Sequence, residues 1–128
     1  MEYGVMFEPF TQRHYIKNFA KKYKGAWQAT ESYLKEEFTK IDLLFLRQIA
    51  ETISDSEKIK LCKTEFKIAG SDVSRHGSGN RCIVAIHKDE ELIHVLLVYS
   101  KTDVRGHRET EWWQGIIRDN YPQYQGFF

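Results

Sequence analysis

A chain of 128 residues with 41% hydrophobic and 14% aromatic content and only two prolines is too ordered for a tail and too short for two cores. Residues 1–128 are therefore read as a single domain. No stretch approaches the roughly 20 apolar residues that span a bilayer, and the N-terminus has no signal-peptide pattern. Cys62 and Cys82 fit neither a disulfide scaffold nor a Cys-x-x-Cys metal site. A cytoplasmic protein with reduced thiols and no membrane partner is expected. The net charge of +1 makes no case for nucleic acid, but residues 58–88 carry seven basic and two acidic side chains, a local excess of +5. Such a segment is a footprint for an anionic partner, or a strand kept soluble by its lysines.

Residues 3–7 (YGVMF) are apolar and stopped by Pro9, which predicts a strand at a sheet edge. From Phe10 the period changes. Phe10, Tyr15, Ile16, Phe19, Ala20 and Tyr23 form a stripe at helical spacing, and Gly25 marks its end. Trp27, Leu34, Phe38, Ile41, Phe45 and Ile49 continue a helical stripe to about Ile53, as one long helix or as two broken near Thr39. Ser54, Asp55 and Ser56 make a turn. Residues 58–68 then read as a strand with Ile59, Leu61, Phe66 and Ile68 at its apolar positions and a bulge around Lys63 and Thr64. Residues 70–80 form a polar, glycine-bearing loop that lacks P-loop or dinucleotide spacing and is expected to be adaptable.

Residues 80–101 organise the rest. Cys82 to Ile86 and Leu92 to Tyr99 are apolar runs, the second broken only by His94, and the charged residues 88–91 join them as an antiparallel hairpin. Apolar residues on both faces place this hairpin centrally in a sheet covered on both sides. Arg81 enters it and His87 leaves its first strand, so these polar fringes are where a site is expected. Residues 109–120 form a helix with Trp112, Trp113, Ile116 and Ile117 on one face, ended by Pro122. The fold class is α+β: an N-terminal strand and helices, then an antiparallel β-meander of three strands and a C-terminal helix.

That order resembles the RelE/ParE superfamily of toxins from type II toxin–antitoxin pairs. The resemblance rests on the opening strand and Lys-rich helix (residues 3–23), on Phe66-Lys67-Ile68 leading through a Gly/Ser loop to Gly79-Asn80-Arg81, and on the hairpin ending in Val98-Tyr99-Ser100-Lys101. It implies a metal-independent endoribonuclease that cleaves messenger RNA on the ribosome and a cognate antitoxin as partner. The ParE branch, which poisons a protein target such as gyrase, and a non-catalytic module binding RNA or protein are the alternatives.

In the messenger-cutting branch the ribose 2′-hydroxyl attacks the neighbouring phosphate, which calls for a base, a cation at phosphorus and an acid for the leaving 5′-oxygen. Carried over, Arg81 is the catalytic arginine after the loop, since its fork matches phosphate and stays charged. Lys67 is the lysine on the preceding strand, and Lys101 falls among the basic residues after the last hairpin strand. The family's tyrosine is absent at the expected place, where Arg108 or His107 stands, and His107 supplies an imidazole for proton transfer. Lys60, Lys63, Arg75 and His87 are the expected RNA contacts. Tyr99 is read as a packed aromatic with a satisfied hydroxyl. The histidines His14, His76, His87, His94 and His107 lack ligand spacing such as His-x-x-x-His, so neither a metal nor another cofactor is expected.

Overall fold

A computed structural model describes all 128 residues. Strand β1 (Gly4–Phe7) passes at Pro9 into a helical run, α1, in which the turns Pro9–Thr11 and Lys17–Lys22 flank a π-helical stretch, Gln12–Ile16. Gly25, at φ 74°, breaks this run in a conformation that a side chain would oppose. Helices α2 (Ala26–Thr39) and α3 (Ile41–Leu46) follow, and then strands β2 (Ala50–Asp55), β3 (Ile59–Phe66), β4 (Asn80–His87) and β5 (Leu92–Ser100). A 3₁₀ turn (Lys101–Asp103), helix α4 (Glu109–Asn120) and a second 3₁₀ turn (Pro122–Phe127) complete the chain.

The sheet order is β1-β5-β4-β3-β2, with β1 parallel to β5 and every other pair antiparallel. The hairpin is therefore central, and from Asn80 to Ile86 every residue of β4 is buried. Alternation sends Cys82, Val84 and Ile86 to one face, against Phe19, Trp27, Leu34, Phe38 and Ile41. Ile83 and Ala85 face the other side with Leu61, Leu97 and Tyr99, where Trp113, Ile117, Tyr121 and Tyr124 cover them. Both cysteines are free and buried, and burial pushes the Cys62 thiol up to about 12, so neither is a reactive thiolate.

Two expectations are corrected. The helical stripe does not reach Ile53: Gln48 at φ 58° turns the chain after α3, and residues 50–55 add a fourth strand to the meander. Ile49 and Ile53 are four apart, which imitates a helix face. In the sheet, pairing steps from Thr52 with Cys62 to Ser54 with Leu61, so Ile53 is the extra residue of a bulge. The bulge expected at Lys63 and Thr64 is absent, since β3 pairs with β4 without interruption from Ile59 to Phe66. Leu61 and Cys62 point to opposite faces, both covered, and that is what blurs the alternation.

The second bulge lies in β5, where pairing steps from Ile83 with Leu97 to Val84 with Val95 and leaves Leu96 over. Its carbonyl accepts the Tyr121 hydroxyl at 2.7 Å, so the lost ladder bond is replaced from the C-terminal segment. Beyond β1, the free edge of β5 is answered by α1: Thr11 Oγ accepts the Val98 N–H at 2.9 Å.

Trp113 is 3% exposed and packs in the layer between α4 and the sheet. Trp113→Ala is expected to cost about 3–5 kcal/mol in urea unfolding, with Trp112→Ala, on the half-buried neighbour, costing clearly less. Equal midpoints for the wild type and the Trp113 variant would show that α4 does not carry this layer.

Candidate functional site at the Arg81 end of the hairpin

The two-residue period of β3, β4 and β5 puts Lys63, Glu65, Arg81 and Tyr99 on the face that α4 covers, with Glu65 opposite Arg81 and Arg81 opposite Tyr99. The Arg81 side chain is 3% exposed. Its Nη1 lies 3.4 Å from Glu65 Oε2 and its Nε 3.7 Å from Glu109 Oε2. Nη1 also donates to the Asn80 carbonyl at 3.1 Å, and Nη2 to the His76 carbonyl at 3.4 Å. The network extends outward. Lys63 Nζ is 3.1 Å from Glu109 Oε2, the Tyr99 hydroxyl donates to the same oxygen at 2.7 Å, and His76 Nδ1 lies 3.0 Å from Glu65 Oε2.

Sequence reasoning singled out Arg81 but missed Glu65 and Glu109, which fix what that arginine does. In this arrangement the guanidinium is turned inward and spoken for, not presented to an anion. Tyr99 is packed with its hydroxyl satisfied, as expected. Burial first, and then the Glu109 carboxylate beside it, push its phenol far above the ordinary value, so it stays protonated and is no base.

The loop entering β4 is fastened, which corrects the expectation of an adaptable segment. Ser78 Oγ lies 2.6 Å from the Phe66 carbonyl and 2.7 Å from the Arg75 carbonyl, which share its single proton, and it accepts the Asn80 N–H (3.0 Å). Arg75 pairs with Glu37 and donates to the Glu65 carbonyl at 3.0 Å. The Gly77 N–H is taken by Ser74 Oγ at 3.0 Å and the Val73 N–H by Ser71 Oγ at 3.2 Å, so these amides do not form a phosphate cradle. Gly79, at φ 76°, lets this loop turn into β4, and its carbonyl accepts the Lys101 N–H at 2.9 Å.

That bond brings Lys101 beside the network. Ser100 Oγ accepts the Thr102 N–H (3.3 Å) and the Asp103 carboxylate accepts the Ser100 N–H (2.9 Å), pinning the 3₁₀ turn. The chain then folds back so that Lys101, Val104, Arg105, Gly106, His107 and Glu109 line a cleft of about 220 Å³. Lys101, Arg105 and His107 are exposed, while Glu109 forms the wall shared with Arg81. The structure thus joins two expected residues, Lys101 and His107, in one cleft and adds Arg105 to them. Lys67 is exposed just beyond β3, its backbone held by the Tyr33 hydroxyl.

Four expected RNA contacts fare differently. Lys63 and Arg75 are engaged by Glu109 and Glu37. Lys60 Nζ sits 3.8 Å over the Phe45 ring, and His87 meets Tyr124 at the opposite end of β4. Six residues of strand separate Arg81 from His87, about 20 Å. A cleft of about 550 Å³ lies against α2 and α3, is lined by Glu2, Glu36 and Glu37 among others, and holds none of the expected site residues.

Burial opposes ionisation of Glu109. The hydrogen bonds from Tyr99 and Lys63 and the charges of Lys63 and Arg81 outweigh it and hold the carboxyl below its ordinary range. A depressed carboxylate stabilises the fold above its unfolded pKa, about 4.3, and that contribution is lost as pH falls through the folded value. Glu109→Gln should therefore lower Tm most near pH 6, with the gap to the wild type closing below about pH 4. A gap independent of pH would show that Glu109 is not ionically coupled to the network.

No protein-family model matches the sequence, and no curated protein matches it. Among solved structures, the fold is similar to that in the crystal structure of the archaeal RelE–RelB complex from Pyrococcus horikoshii OT3, with a TM-score of 0.53 at 10% identity. The match covers 79% of this chain and 97% of that one. At that identity the likeness is one of fold, and the fold is RelE-like, α+β.

Proposed function

We propose that this chain is the toxin of a type II toxin–antitoxin pair and a metal-independent endoribonuclease that cleaves messenger RNA on the ribosome. The observation that carries the reading is the cleft that collects Lys101, Arg105, His107 and Glu109 beside Arg81 on a RelE-like fold. Lys101 and Arg105 take the charge that gathers on the phosphate as the 2′-oxygen attacks. His107 takes the 2′-hydroxyl proton as the P–O2′ bond forms and delivers it to the 5′-oxygen as the P–O5′ bond breaks, and Lys67, exposed at the end of β3, holds the neighbouring backbone. Arg81, buried and doubly paired, acts on this reaction as a positioning residue that fixes Glu109 and the cleft wall. The antitoxin is an acidic or amphipathic segment laid along the basic stretch between Lys58 and Arg81.

A second reading has one observation in its favour. With the Arg81 guanidinium taken by Glu65 and Glu109, the arginine implied by the nuclease resemblance does not face solvent. A ParE-like toxin acting on a protein target needs no such arginine.

Induction in cells, scored for growth arrest and for new RNA 5′ ends within translated messages, separates the two. The nuclease reading expects new ends that fall about 10²–10³-fold in Lys101→Ala and His107→Ala. It also expects Lys67→Ala to lower the slope of log affinity against log salt by about 0.7, one single-strand phosphate contact. Arrest without new ends moves the target to a protein. No arrest from the soluble chain leaves a non-catalytic binding module.

A further inference from the structure

We infer that His87, Glu90 and His94, gathered where the β4–β5 hairpin turns, form a binding site for a zinc-class divalent cation. Linear spacing conceals the site, because the two histidines stand on different strands. The antiparallel register pairs Leu92 with His87 and His94 with Ala85, which brings the rings to a centroid separation of 4.4 Å. Ligand atoms of His87, Glu90 and His94 lie within 4.8 Å of one another. Glu90 is exposed in the turn, which leaves its side chain room to turn toward the two rings.

The outer contacts select the ligating atoms. Glu8 Oε1 lies 2.7 Å from His94 Nδ1, and a carboxylate there fixes the Nδ1–H tautomer and leaves the Nε2 lone pair free. The Tyr124 hydroxyl lies 2.7 Å from His87 Nε2, which leaves Nδ1. Two imidazoles and one carboxylate suit zinc, with a water in the fourth position, whereas calcium and magnesium demand more oxygen ligands.

The outer partners come from distant parts of the chain. Glu8 precedes α1, and Tyr124 belongs to the C-terminal 3₁₀ turn. A bound ion would fasten both to the hairpin, at the end remote from Arg81 by about 20 Å. The inference is independent of the proposed ribonuclease activity and predicts a stabilising role.

The test uses the full chain without a histidine tag, stripped of metal and titrated with ZnCl2 while unfolding is followed. Expected are one equivalent bound and a Tm higher by about 8 °C at a hundredfold excess over Kd. Co2+ in place of zinc should give the intense visible bands of a tetrahedral site. Glu90→Ala, on the exposed turn, should keep the metal-free Tm and weaken binding at least tenfold. His94→Gln should abolish the cobalt bands, and Glu8→Gln should weaken binding about tenfold through the His94 tautomer. No Tm change at 100 µM (about 10⁻⁴ M) zinc, or zinc binding undiminished in both Glu90→Ala and His94→Gln, overturns the site.

Discussion

Arg81 carries a permanent charge into a position that water barely reaches, and this end of the sheet is built to answer it. Burying a guanidinium costs several kcal/mol even after relaxation, so its 3% exposure requires partners on every side. One carboxylate, Glu65, comes from the neighbouring strand, and the other, Glu109, from the first turn of α4. The ion pair therefore joins two layers, and the docking of α4 completes the compensation. An acid in the first turn of a helix is favoured in its own right. Glu65 and Glu109 remain 30% and 22% exposed, so each pair is worth less than a dry interior would suggest. The strong term is the penalty for leaving Arg81 alone.

Because β4 and β5 are apolar through their middle, polar chemistry is confined to the two ends of the hairpin. One end holds Arg81 with the cations Lys67, Lys101 and Arg105 exposed around it. The other holds His87, His94 and Glu8. At a separation of about 20 Å the two ends share no proton and no ligand. Each is tied to a different part of the chain, the first to the start of α4 and the second to the last residues and to the β1–α1 junction.

The central hairpin, α4 and the edge position of β1 were legible because each is written in a local run of residues: apolar on both faces, amphipathic, or cut off by Pro9. The strand β2 was not. It is short and half-buried, and its bulge at Ile53 destroys the alternation that would have marked it. The site divides in the same way. Arg81, Lys101 and His107 were singled out by a resemblance carried on short patches of sequence, but Glu65 and Glu109 gain their meaning only from cross-strand pairing and helix docking. Likewise, His87 and His94 have no ligand spacing along the chain and acquire one only across the ladder.

The basic segment of residues 58–88 also changes meaning in three dimensions. Of its seven cations, Lys63, Arg75, Arg81 and Lys88 are paired with carboxylates, and Lys60 rests on Phe45. Lys58 and Lys67 are left exposed; Lys58 lies at the His87 end, whereas Lys67 is joined at the Arg81 end by Lys101 and Arg105 from beyond β5. With single-strand contacts worth about 0.7 each in the salt slope, three such cations give a slope near 2, which describes weak binding to free RNA. A nuclease built on this surface has too little charge to capture a message unaided. The nuclease reading therefore carries its own demand for a platform that holds the strand in place, which is what a ribosome provides. A protein target would instead bring its own complementary surface and ask less of these few cations.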